Sequence, residues 1–353
     1  MATPRPQKSA EHAGRPPTLK DVALKAGGLH PSTVSLALRN FPGVSEGLRR
    51  RIKAAARQLG YRPDPLLAAF NSHRISHSDR RNTVIIAMAA GGGARSEWEK
   101  SPMHRQIWAG ARRSAAELHA KLELFLVGPS QLSASRLSGI LVARGITGVV
   151  VAPAHAGVAL DVDWSLFSAV RIEEDGLSEP RYQVAVDHRL SARRAWLRLR
   201  SLGYQRVGLL DPSDWSAPGR VQTHAGIEFE QTHVPRHLCI PILDTPSPAP
   251  AQVGDWLARH RVEAVLCPNP AGWDLLKEAQ GSGAAQCPAF GCLQLAEQVP
   301  GMAGMMADYE AVGALAVEQL VTLMRTHERG AAQVEVCTLV SSHWREGASC
   351  PPR

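Results

Sequence analysis

From residue 83 onward the chain alternates short apolar runs with amphipathic stretches at helical spacing, and that alternation leaves few folds open. Strands are expected at 83–89, 122–127, 148–151, 169–172, 182–186, 206–210, 238–241, 264–267, 289–291 and 334–339. Between them lie helical patterns at 103–120, 133–144, 188–202, 219–229, 251–261, 272–280 and 309–327. Strand–helix alternation gives parallel sheets with helices on both faces. The length of this stretch suits two such subdomains, and the 353-residue chain as a whole is too long for one small core.

The first 81 residues break the pattern. They hold fifteen Lys and Arg against five Asp and Glu, whereas the rest of the chain is close to neutral; the whole chain carries +8. A basic head on a near-neutral body points to a polyanionic partner for the head alone. Residues 1–17 are small, polar and basic, and read as a flexible leader with no apolar run of signal-peptide type. No later stretch reaches the roughly 18 uninterrupted apolar residues of a membrane span. A cytoplasmic protein is expected, with its six cysteines reduced. None of them stands in a CxxC pair, and a metal site is not expected.

Three short helices are legible in the head. Thr18 caps the first, and Asp21 three positions on completes a capping box with Asp in place of the usual Glu or Gln. Leu19, Val22, Ala23 and Ala26 mark its inner face, and Gly27-Gly28 ends it. The second opens at Pro31, a residue favoured in a first turn because its missing N–H would be unpaired there. Val34 and Leu38 lie one turn apart and enter a common core. Ser45 caps the third, which runs to Leu59 with Gly60 placed to end it. Leu48, Ile52, Ala55 and Leu59 line one side, and Arg49, Arg50, Lys53 and Arg57 the other. Three helices with a tight turn between the first two make a helix-turn-helix candidate, whose second helix enters the major groove. A small protein-interaction domain is the alternative.

The run Leu19-Lys20-Asp21-Val22-Ala23, then 32–40 (Ser-Thr-Val-Ser-Leu-Ala-Leu-Arg-Asn), then Val44-Ser45, then 59–63 (Leu-Gly-Tyr-Arg-Pro), resembles the DNA-binding head of the lactose-repressor (LacI/GalR) family. The resemblance implies a helix-turn-helix domain at 18–63, a hinge helix and linker at 64–82, an effector-sensing and dimerising body of two periplasmic-binding-protein-like subdomains at 83–341, and a loose tail at 342–353. It implies base contacts from Pro31, Ser32 and Leu36, and phosphate contacts from Thr33 and Ser35. Ser32 and Thr33 otherwise only satisfy the helix start, and Leu36 is otherwise core. His30 faces phosphate or is a solvated turn residue. In the hinge, Leu67 and Ala68 match positions that meet the partner or the groove. Phe70 stands where the family wedges a leucine between base steps, or else packs the paired hinges together. One departure is plain: the turn before the Thr33-Val34-Ser35 run is one residue longer than usual, and the glycine pair is placed to absorb the extra residue.

In the body, the resemblance puts a ligand cleft between the subdomains, with a first chain crossing near Asp187 and a return near Leu293. Asp187 is the leading pocket candidate; the alternative is a cap on the helix beginning at His188. The family's arginine is replaced by Thr223, with Arg220 close enough to substitute. Asn269-Pro270 stands for the family's Asn-Asp, and Leu293 for its next Asp. Loss of two carboxylates weakens a polyol site, because hydroxyls desolvated without partners are costly. Trp98, Trp164, Trp215 and Trp273 are candidates to line the cleft with Asp187, Arg220 and Asn269. The ligand is therefore a sugar, a less polar ring compound, or none.

The polar residues show no nucleophile–base–orienter set, and Gly91-Gly92-Gly93 lacks the Lys and Ser/Thr of a phosphate loop. No enzyme and no cofactor are expected. The expectation is a DNA-binding transcriptional regulator, a repressor by resemblance, acting as a homodimer on a palindromic operator. The rival is a sensor whose head engages a protein.

Overall fold

The structure is a computed structural model that describes residues 17–38, 44–61, 84–92, 95–128, 131–153, 160, 162–173, 180, 182–212, 219–280, 287–330 and 334–353. Its contacts fall into two compact units, Met1–Asn82 and Thr83–Arg353.

The first unit holds three helices, α1 (Leu19–Lys25), α2 (Pro31–Leu38) and α3 (Glu46–Leu59). The backbone N–H and hydroxyl of Thr18 both donate to the Asp21 carboxylate at 2.7 Å, so the shorter Asp serves in the capping box. The Ser45 hydroxyl accepts from Leu48 N at 3.4 Å, and Gly60, at φ +66°, closes α3. Val22, Ala23, Ala26, Val34, Ala37, Ile52, Ala55 and Ala56 form one buried core, with Leu29, Leu48 and Tyr61 packed against it.

The second unit has two lobes, each a six-stranded sheet covered by helices. In chain order its elements begin β1 (Val84–Gly91), α4 (Arg95–Lys100), α5 (Pro102–Glu117), β2 (Ala120–Val127), α6 (Ala134–Ala143), β3 (Gly148–Val151), β4 (Ser168–Ile172) and β5 (Tyr182–Val186). The chain then enters the second lobe with α7 (His188–Ser201), β6 (Val207–Asp211), α8 (Arg220–Gln231), β7 (Leu243–Asp244), α9 (Pro250–His260), β8 (Ala264–Cys267), α10 (Ala271–Gln280), β9 (Ala289–Leu295) and β10 (Ala303–Met306). It ends with α11 (Tyr309–Thr326), β11 (Val336–Val340) and β12 (His343–Arg345). Strand order is β11-β5-β4-β3-β1-β2 in one sheet and β12-β10-β9-β8-β6-β7 in the other. All pairs are parallel except β10–β12, so the second sheet ends on an antiparallel strand.

The pleat of β6 shows how the sheet is filled from both sides. Val207 and Leu209 face a core with Trp196, Leu199 and Ile227; Leu210 faces the other, with Trp256 and Phe290. A Cβ on Gly208 would stand 2.5 Å from the Trp256 ring, so only glycine admits that indole, whose Nε1 donates to the Pro241 carbonyl at 2.8 Å. In the first lobe α5 and α11 cross backbone to backbone: a Cβ on Gly110 or Gly313 would overlap the carbonyl of Glu310 or Ile107.

Three expectations are corrected. The segment 238–241 is not a strand; a single 3-10 turn, Arg236–Leu238, precedes the two-residue β7, and Pro241 has no N–H for a ladder. The return crossing is not at Leu293, which is buried within β9. A further strand, β10, follows, and the chain leaves the lobe at Ala307–Asp308, where Ala307 N donates to Leu295 O at 3.0 Å. The residues after 341 are not a loose tail. They cross back as β12, Cys350 is buried, Phe290 N donates to Ser349 O at 2.7 Å, and the Tyr204 hydroxyl to Pro351 O at 2.6 Å.

Candidate functional site

In the head, α2 presents two faces. Val34 and Ala37 are fully buried, while Pro31 and Thr33 are half-buried and His30, just ahead, is exposed. Helical spacing puts positions 32 and 36 on the side of α2 away from Val34. The side chains of Ser32, Ser35 and Leu36 lie outside the described residues, as do Leu67, Ala68 and Phe70. The longer turn is closed by two left-handed residues, Gly27 at φ +106° and Gly28 at φ +70°. Gly28 N donates to Leu24 O at 3.2 Å and Leu29 N to Ala23 O at 3.0 Å, so Leu29 returns to the core. The extra residue is thus taken up in the turn and leaves α1 and α2 sharing one core.

The basic side chains do not form one uniform face. Arg50, Arg51 and Arg57 are exposed, and so are Lys20 and Lys25. Arg49 instead pairs with Glu46 at 2.9 Å and donates to Val44 O at 3.2 Å, which ties the start of α3 to its own approach.

In the body, polar side chains gather where the strands of the second sheet end. Asp211 closes β6 and Asp244 closes β7. Between them sits Arg220, the first residue of α8. It is 5% exposed, with Nε 3.5 Å from Asp211 Oδ2 and Nη2 paired to Asp244. One turn along α8, His224 Nε2 donates to the same Asp211 oxygen at 2.7 Å. Asp211 has no exposure at all, and these two side chains are among the groups that partner its buried carboxylate. Thr223, on the same helix, is buried. Asp211, Asp244 and His224 were not expected here. Asp211 and His224 are near in sequence, but only the fold brings in Asp244.

The other expected pocket residues stand differently. The Asp187 carboxylate accepts from Leu190 N at 2.8 Å and caps α7, the alternative role raised above. Asn269, after β8, has a buried Oδ1 with no hydrogen-bond partner among the described residues. Trp273 packs on Phe290 with ring centroids 5.3 Å apart, beside Lys277. Trp98 is buried against Trp108 and His104 in the first lobe, and Trp215 lies outside the described residues.

The cluster adjoins the seam between lobes. Gly219, at φ +71°, lies against the His188 imidazole so closely that any Cβ would overlap it. His188 Nε2 in turn donates at 2.7 Å to Glu173, which follows β4 of the first lobe, and both side chains are buried. Burial, with the Glu173 charge adding, holds the Tyr309 hydroxyl well above the ordinary phenol range. The three crossings meet here: Asp187 N donates to Val340 O at 2.9 Å, and Ser191 Oγ meets Ser342 Oγ at 3.0 Å. On another part of the seam Arg105 pairs with Glu297 at 3.0 Å. Among the described residues no three His, Cys, Asp or Glu side chains could hold a metal, and no helix is long and apolar enough to cross a membrane.

Comparison with known proteins agrees with both units. Residues 18–64 match the family model for bacterial regulatory proteins, lacI family. The chain is 39% identical over 79 residues to the HTH-type transcriptional regulator GntR of Pseudomonas aeruginosa, covering 22% of each chain. It is 39% identical over 69 residues to the HTH-type transcriptional repressor CytR of Escherichia coli K12, covering 20% of this chain and 18% of that one. These matches span about a fifth of the curated relatives' length. Among solved structures, the transcriptional regulator CelR–cellobiose complex superposes with a TM-score of 0.58 at 20% identity, over 94% of this chain and 99% of that one. The lac repressor dimer bound to operator and the anti-inducer ONPF gives 0.55 at 18% identity, over 96% and 100%. At that identity the likeness carries the fold, a helical head on a two-lobed α/β body. The head at residues 18–64 thus matches the lacI family of bacterial regulatory proteins, and the body shares the fold of solved transcriptional regulators.

Proposed function

We propose that the chain is a sequence-specific DNA-binding transcriptional regulator, acting as a homodimeric repressor whose body senses a small molecule. The observation that carries this is α2, anchored by Val34 and Ala37 on one side and opening at Pro31 beside an exposed His30, in a head rich in Lys and Arg. A helix of this kind enters the major groove with its first turn toward base edges, while basic side chains neutralise phosphate. Pro31, Ser32 and Leu36 are the proposed base contacts, and Thr33 and Ser35 the phosphate contacts. Pro31 has no donor and offers apolar contact, which suits a thymine methyl. Leu67, Ala68 and Phe70 are proposed for the minor groove.

Dimerisation would pair two heads on a two-fold operator. Ligand in the body would alter the angle between lobes and so the operator affinity, through linkage. The test is selection of bound sequences from a random duplex pool by the full chain. Recovery of a palindrome supports the reading, and recovery of unrelated sequences counts against it.

A further inference from the structure

The amino-acid make-up of α2 narrows which duplex the head can read. Val34 and Ala37 are fully buried and fix the core side of the helix. Position 36 lies about 200° round the helix from Val34, and position 32 as far round in the opposite sense, so both stand away from the core. Pro31, in the first turn, is half-buried. Leu29 anchors the lengthened turn in the core, and the His30 carbonyl accepts from Thr33 N at 3.0 Å, so the start of the helix is held in place on the head.

The helix Pro31–Leu38 runs Pro, Ser, Thr, Val, Ser, Leu, Ala, Leu, with no charged and no amide side chain. In the major groove guanine is read by Arg or Lys, adenine by Asn or Gln, and cytosine by Asp or Glu, each through hydrogen bonds to the base edge. None of these residue types stands on α2; His30 and Arg39 flank it. The Ser and Thr hydroxyls both donate and accept, so they suit any base. Apolar contact is left to discriminate, and the apolar group that bases present in this groove is the thymine methyl. A leucine turned to water gains nothing in the free head, but against a methyl it buries apolar surface. Over guanine it would strip water from N7 and O6 and return no donor.

We propose that α2 reads its half-site through thymine 5-methyl groups met by Pro31 and Leu36, and holds no guanine by hydrogen bonds from the helix. This rests on the reading of the head as a DNA-binding domain and deepens it. Pro31 and Leu36 set the sequence preference, while the hydroxyls of α2 and the exposed Arg50, Arg51 and Arg57 add affinity with little choice among bases.

The experiment measures binding of the full chain, at one salt concentration, to a duplex selected from a random pool and to chemically altered copies of it. Deoxyuridine in place of thymidine removes the methyl alone and leaves the O4 acceptor. Each contacted thymine so replaced should weaken binding about fourfold, the loss expected for one buried methyl. Deoxyuridine outside the half-sites is the control. 7-Deazaguanine, which lacks the N7 acceptor, should leave affinity within about twofold at every guanine of the half-site. Leu36→Ala should bind the thymine and uracil duplexes equally at one position, and Pro31→Ala at another. Alanine is well tolerated at a helix start, so Pro31→Ala keeps the assignment testable if Leu36→Ala unfolds the head. Recovery of no preferred duplex overturns this proposal together with the DNA-binding reading. A preferred duplex that tolerates uracil throughout, or loses tenfold or more with 7-deazaguanine, overturns the thymine reading and leaves DNA binding standing. Uracil sensitivity unchanged in both variants overturns the two assigned residues.

Discussion

Glu173 and His188 form a buried hydrogen bond at 2.7 Å that links the end of β4 to the first residue of α7, the point where the chain passes between lobes. Glu173 holds this contact from a left-handed backbone, φ +63°, and its other oxygen accepts from Val186 N at 3.1 Å. Glu173→Ala would strand the His188 Nε2 and free the crossover. The expected loss is about 3 kcal/mol of body stability in denaturant titration. A change under about 0.5 kcal/mol would mean the pair does not hold the seam.

Gly219 tests the same seam from the other lobe. Its φ of +71° and its contact with the His188 ring both exclude a side chain. Gly219→Ala is expected to cost about 2 kcal/mol or more, with strain and overlap adding. A thermal midpoint equal to the parent's would contradict the close approach.

The head should respond to its cap. Asp21→Ala removes both 2.7 Å bonds from Thr18 and is expected to cost about 1 kcal/mol. Hydrogen exchange should show α1 opening faster while the body is unchanged, since the two units have separate cores. Equal exchange in α1 would show that the box contributes nothing there.

The thiols separate by burial. Burial pushes Cys292 up to about 12 and raises Cys267 further; Cys350 also reaches about 12, through burial and the nearby Glu346. Between the ordinary thiol range and that value the unfolded chain releases protons that the native one keeps, so these groups make stability fall as pH rises above about 8.5. At pH 8 iodoacetamide should label exposed Cys337 in the native protein and reach Cys267 and Cys292 only with denaturant. Native labelling of Cys292 would contradict the packing of the second sheet.

Much of this was legible in order and type. Strands such as Gly148–Val151, Tyr182–Val186 and Ala264–Cys267 are runs of branched or small apolar residues, and pattern located their ends. Pattern failed at β10, where Ala303-Gly304-Met305-Met306 has no β-branched residue, and at β12, which reads as polar tail. The polar cluster at the strand ends was half legible. Arg220 was named, but the two aspartates that engage it lie at the ends of strands far apart in sequence, and pairing across a sheet has no local signal. Asp187 was legible in both its roles, and the structure gives it the cap.

The most direct measurement is the salt dependence of duplex binding by the full chain and by a chain lacking residues 1–82. The account predicts tight binding to a selected palindrome by the full chain, weakening steeply and linearly in log salt as phosphate contacts are screened, and none by the shortened chain. Equal binding to all duplexes at low salt, or binding that survives removal of the head, would contradict it.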